Sequence, residues 1–151
     1  MTLPSFRLDG KVALVTGGSK GIGRAIALGF AAAGADVVVA SRKAEACETV
    51  AAEARALGRR ALGVGCHVGD WAQCDGLVAR TVQELGGLDV LVNNTFDRSI
   101  PTAEAAEAIA SRISLGRIAS PAEAVGTALF LASELSSYMT GALLALDGGA
   151  G

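Results

Sequence analysis

Thr16-Gly17-Gly18-Ser19-Lys20-Gly21-Ile22-Gly23 lies between the apolar run Val12-Ala13-Leu14-Val15 and a stretch where Ile26, Phe30 and Ala33 recur at helical spacing. A short apolar run that stops at glycines reads as a strand buried on both faces, and the 3.6-residue rhythm after it reads as a helix closed at Gly34. The eight residues are therefore a strand-to-helix turn. At such a turn the first N–H groups of the helix are bare and the helix dipole favours an anion. Glycines suit it because a Cβ would block backbone approach to a phosphate and tight helix packing.

Outward from this turn the pattern repeats. Asp36 to Ala40 reads as a second strand through Val37-Val38-Val39, and Ala44 to Leu57 as an Ala-rich helix ending at Gly58. A strand from Ala61 to Gly65, a helix from Trp71 to Glu84 and a strand from Val90 to Val92 follow. Strand and helix alternating at this spacing predict a parallel sheet with right-handed crossovers and helices on both faces. After Asn93-Asn94 the rhythm changes. Thr95 to Pro101 reads as loop, and Thr102 to Ser111 as a short helix. Ser120-Pro121-Ala122-Glu123 reads as the start of a helix running to about Leu135, and Ala142 to Leu146 as a last strand closed by Asp147-Gly148-Gly149.

The chain has 151 residues, 51% hydrophobic and 19% charged, which fits one domain: residues 1–94 as a nucleotide-binding half, residues 95–151 as C-terminal helices and last strand. A net charge of -2 without a long Lys/Arg run gives little drive toward nucleic acid or an anionic membrane, and neither partner is expected. Cys47, Cys66 and Cys74 are odd in number and form no Cys-x-x-Cys pair, so neither a disulfide framework nor a metal site is expected. They read as reduced thiols of a cytoplasmic protein. The first ten residues carry no apolar signal core.

The spacing Gly17, Gly21, Gly23 departs from G-x-G-x-x-G and resembles the T-G-x-x-x-G-x-G of short-chain dehydrogenases/reductases. Leu88-Asp89-Val90-Leu91-Val92-Asn93-Asn94 resembles that family's fourth strand and the start of its N-N-A-G motif. Leu115-Gly116-Arg117, the Pro121 helix start, Ser136-Ser137-Tyr138-Met139-Thr140-Gly141 and Leu146-Asp147-Gly148-Gly149 resemble its C-terminal signature. The resemblance implies a truncated Rossmann-type, doubly wound parallel sheet of about five strands. It also implies a dinucleotide cofactor whose pyrophosphate rests on Gly17, Ser19, Lys20, Gly21, Ile22 and Gly23.

Cofactor choice is read at the end of the second strand, where an acidic residue would bind the ribose hydroxyls of NAD and an Arg the 2′-phosphate of NADP. Ala40-Ser41-Arg42-Lys43 stands there. Arg42 offers a planar donor fork and Ser41 a hydroxyl, so NADP(H) is expected before NAD(H). By resemblance, Val68 and Asn93 line the adenosine side. His67, which replaces the acid usually found before Val68, is a candidate adenine-side contact.

The family resembles a general-acid relay of Tyr, Lys and Ser, with Tyr-x-x-x-Lys on one helix face. Here the sole Tyr is Tyr138, followed four residues later by Ala142, and the lysines are Lys11, Lys20 and Lys43. Thr95-Phe96-Asp97-Arg98 reads like the loop after the family's sixth strand, joined directly to Asn94. The implied loss is one internal block with the catalytic Ser, Tyr and Lys, and no catalytic residue is assigned. Three functions stay open: dinucleotide binding without turnover, favoured here; an oxidoreductase completed by a partner subunit or by polar residues such as Ser99, Ser114 or Tyr138; and an interaction module without cofactor. A mean hydropathy of +0.45 in a small chain points to a homo-oligomer, dimer or tetramer, through the last helix and strand.

Overall fold

The structure, a computed structural model, describes residues 5–94 and 102–150. Four parallel strands, β1 (Val12–Thr16), β2 (Asp36–Ser41), β3 (Ala61–Gly65) and β4 (Val90–Val92), form one sheet in the order β3-β2-β1-β4. Between them run α1 (Gly21–Ala32), α2 (Ala44–Ala56) and α3 (Trp71–Leu85). After β4 come α4 (Ala103–Ala110), α5 (Glu123–Ala132) and a single 3-10 turn, Glu134–Ser136. The order reverses direction at β1, which sits between β2 and β4. That reversal opens a crevice at the carboxyl ends of these strands, where such sheets bind ligands.

The alternation of side chains along a strand divides the core in two. Ala13 and Val15 of β1, with Val37 and Val39 of β2, face a cluster built with Ile26, Ala27 and Phe30 of α1 and Val50 and Ala54 of α2. Val12, Leu14, Val38 and Ala40 face the other way, onto Leu77 and Leu85 of α3. Both faces being covered explains why the strand sequences are continuous apolar runs. Register is fixed by Thr16 opposite Ala40 and Val15 opposite Val92.

The C-terminal helix α5 packs on α1, on the first of these faces. A Cβ at Gly29 would overlap the Val125 side chain, so the two helices meet across the glycine. Ala128 and Leu129 complete the contact with the core.

Two expectations are corrected, and a third falls on residues that are not described. The sheet has four strands, because Ala142 to Leu146 joins no ladder among the described residues. A strand exists only beside a hydrogen-bonded neighbour, and no such neighbour reaches this segment. The helix expected from Ser120 begins at Glu123, after a turn in which the Glu123 N–H donates to the Ser120 carbonyl at 3.0 Å. It ends at Ala132, short of Leu135, where the 3-10 turn replaces it. The loop expected at 95–101, with Ser99, lies outside the described residues.

Candidate functional site

β1 ends at Thr16, a buried residue whose hydroxyl does two things. It donates to the Val92 carbonyl at 3.2 Å and accepts the backbone N–H of Asn94 at 2.9 Å. The Asn94 amide Nδ2 donates onward to the carbonyls of Thr16 and Gly17, at 3.4 and 3.3 Å. The end of β4 is thus clamped to the start of the glycine turn. On the other side, the Gly18 N–H donates to the Ala40 carbonyl at 3.2 Å, tying the turn to β2.

The clamp leaves no room for side chains. Gly17 has φ +61°, and a Cβ there would overlap the Asn94 carbonyl oxygen. A Cβ at Gly23 would overlap the Gly17 carbonyl and stand 2.5 Å from Asn94 Nδ2. Beyond this close packing the turn opens outward: Ser19 is half-buried, while Lys20, Gly21 and Ile22 are exposed at its rim. The first turn of α1 holds no acidic residue, and no side chain caps it at Lys20. The positive end of the helix dipole therefore faces the crevice without a built-in counter-charge.

Arg42 and Lys43 follow β2 directly and are exposed. Thr16 pairs with Ala40, so Arg42 stands two residues beyond the carbonyl that holds the glycine turn. Ser41 is turned partly inward, where its Oγ and the buried Cys47 Sγ share a hydrogen bond of 3.0 Å.

After β3 the chain forms a small loop ahead of α3. The His67 N–H donates to Gln73 Oε1 at 2.9 Å, and His67 Nδ1 accepts the Gly69 N–H at 3.1 Å. Asp70 caps α3 by accepting the Gln73 N–H at 3.2 Å. That bond first, and the Gln73 side-chain amide second, hold the Asp70 carboxyl below the usual range. Val68 is exposed, and Asn93 is exposed beside Asn94.

This arrangement of turn, strand order and clamp accords with the sequence comparisons. A family model described as short chain dehydrogenase matches residues 11–113, and one described as Enoyl-(Acyl carrier protein) reductase matches residues 97–151. The chain belongs to the short-chain dehydrogenase family. It is 48% identical over 94 residues to an uncharacterised oxidoreductase of Mycobacterium tuberculosis, covering 62% of this chain and 36% of that protein. It is 33% identical over 153 residues to Tropinone reductase-like 3 of Erythroxylum coca, covering 94% of this chain and 59% of that protein. The chain thus spans between about a third and three-fifths of these relatives. A crystal structure of a short-chain type dehydrogenase/reductase from Mycobacterium marinum aligns with a TM-score of 0.84 at 27% identity, across 96% of each chain. The length of 151 residues is consistent with a deletion in this short-chain dehydrogenase.

The C-terminal polar residues do not converge on the crevice's chemistry. Tyr138 is fully exposed, and Ser114 Oγ donates to the Gly149 carbonyl at 2.8 Å. Lys11 lies 3.8 Å from Glu134 in an ion pair. Arg117 makes a two-pronged ion pair with Glu123, both bonds 2.7 Å. Among the described residues, no three His, Cys, Asp or Glu side chains gather as a metal site, and no helix is long and apolar enough to cross a membrane.

Thr16 and Asn94 escaped the sequence reading. Thr16 was legible as the first letter of the glycine motif and Asn94 as the second Asn of its own motif, but neither was read as a partner of the other. Their pairing joins positions 78 residues apart, which no local pattern carries.

Proposed function

We propose that this short-chain dehydrogenase family chain binds NADP(H) at the carboxyl ends of β1 and β2 and does not turn over a carbonyl or alcohol efficiently. The observation that carries the reading is the glycine turn, packed so closely on Asn94 at Gly17 and Gly23 that no side chain fits there. Such a turn, with the uncompensated N-terminus of α1 behind it, suits a pyrophosphate. Gly17, Ser19, Lys20, Gly21, Ile22 and Gly23 would cradle it. Arg42 would hold the 2′-phosphate, with Ser41 beside it, and His67, Val68 and Asn93 would flank the adenosine.

The bound dinucleotide would supply a hydride donor or acceptor. The chain's own residues orient the adenosine end, but the proton on a carbonyl oxygen needs a positioned acid. A Tyr at its ordinary pKa of about 10 is a poor one without a neighbouring cation. Tyr138 has Ala142 where a lysine would stand, and it points into solvent. Three thiols without disulfides suit a reducing, cytoplasmic setting.

Titration with NADPH and NADH, followed by protein fluorescence, tests binding, and a ketone panel tests turnover. Saturable NADPH binding with no ketone-dependent oxidation is expected. Steady turnover would overturn the absence of catalysis, and failure to bind either nucleotide would overturn the cofactor site.

A further inference from the structure

We infer that the open edge of β4 receives residues 142–146 of a second copy of this chain, two copies exchanging these segments reciprocally. Three features support it, none of them dependent on the nucleotide reading.

The first is the edge. β4 pairs with β1 on one side, and among the described residues nothing pairs with its other side. Leu91, at its centre, is 53% exposed. Natural edges are blunted by shortness, Lys, Pro, a bulge or a covering helix or loop, and β4, at three residues, is short. Val90-Leu91-Val92 has neither Lys nor Pro, and its pairing with β1 is unbroken by a bulge. The flanking Asp89 turns its Oδ2 toward β1, where it accepts the Val12 N–H at 2.8 Å. Unsatisfied backbone groups and a bare leucine thus share one strip.

The second is the donor. Ala142-Leu143-Leu144-Ala145-Leu146 carries no charge, joins no ladder and exposes every side chain, Leu143 at 96%. The third is how the donor is held. Before it, the Met139 N–H donates to the Ser136 carbonyl at 2.8 Å. After it, the Leu115 N–H donates to the Gly148 carbonyl at 3.1 Å, and Ser114 Oγ binds the Gly149 carbonyl. A segment tethered at both ends loses little freedom when it pairs.

The sheet's other edge, β3, keeps Leu62 half-buried and Val64 buried, so the edge that bares a large apolar side chain is β4, and it and the donor are both apolar and unpaired among the described residues. Two-fold exchange satisfies both in each copy and closes the contact on itself. A foreign strand could cover β4 but would leave residues 142–146 bare.

Light scattering of the full chain over a hundredfold concentration range tests this, alongside Leu144→Pro, which removes a ladder N–H at an exposed position. Twice the chain mass for the native protein and a halved mass for the variant are expected. A photo-crosslinking p-benzoylphenylalanine in place of Leu143, in a mixture of isotopically labelled and unlabelled copies, reports the pairing directly. Mixed-isotope crosslinks to the peptide containing Val90–Val92 are expected. Monomer mass throughout, same-isotope crosslinks alone, or crosslinks elsewhere would each overturn the exchange.

Discussion

The backbone N–H of Asn94 donates to Oγ1 of Thr16 at 2.9 Å, so a single buried hydroxyl joins the ends of the two strands that flank the crevice. Thr16→Val keeps the shape and removes the hydroxyl, leaving the Asn94 N–H without this acceptor. The expected cost is about 1–3 kcal/mol of stability by chemical denaturation, with Thr16→Ser close to the native value. Equal stability of the Val and Thr forms would show that the hydroxyl contributes nothing.

Gly23→Ala places a methyl against the Gly17 carbonyl and Asn94 Nδ2. The turn must move to accept it, at about 1–3 kcal/mol. NADPH affinity measured by fluorescence titration should fall by about tenfold or more, since roughly 1.4 kcal/mol is one decade. Gly76→Ala, on the open surface of α3, should leave binding unchanged.

Arg42→Ala separates the two nucleotides. Loss of a charged donor to a phosphate is worth about 1.5–3 kcal/mol, roughly a tenfold to hundredfold weakening for NADPH. NADH, which lacks that phosphate, should change little. Equal losses for both cofactors would place Arg42 outside the 2′-phosphate site.

The pH profile of stability should carry the mark of Glu123. Arg117 chiefly, with the Ser120 N–H, holds its carboxyl at about 2, below an ordinary 4.5. A carboxyl lowered in the folded state stabilises above its unfolded value, and that contribution drains away as pH falls through the folded one. The melting temperature of Glu123→Gln should therefore lie below the native value at neutral pH and converge with it between pH 4.5 and 2. A constant difference across that window would argue against the ion pair as the source.

Thiol reactivity should follow burial. Cys66 is buried, and desolvation first, then the neighbouring Cys74, pushes its thiol up. Cys74 is half-exposed and Cys47 buried beneath Ser41. Timed alkylation read by peptide mass spectrometry should modify Cys74 first, with Cys47 and Cys66 following only on unfolding.

The first half of the fold was legible because each of its signals is local. Val37-Val38-Val39 is apolar throughout because both faces of β2 are covered, and Gly17 to Gly23 marks a turn whatever lies around it. Ala142 to Leu146 is as apolar as those strands yet forms none, because an apolar run does not by itself supply a hydrogen-bonded neighbour. The start of α5 moved for a different reason. Glu123 is engaged by Arg117 and by the Ser120 N–H, so its side chain closes a turn before the helix instead of serving within it. In the candidate site the open backbone of the glycine turn was readable, while the Thr16–Asn94 clamp that shapes it arises only on folding.

The meeting of Gly29 and Val125 fastens α5 to the helix that follows the glycine turn, while Asn94 is fastened separately to Thr16. The end of β4 and α5 are therefore fastened to the body at separate points, one through Thr16 and the other through Gly29. Each fastening can thus be undone alone: a bulky side chain at position 29 would displace α5 and leave the hinge between β1 and β4 shut.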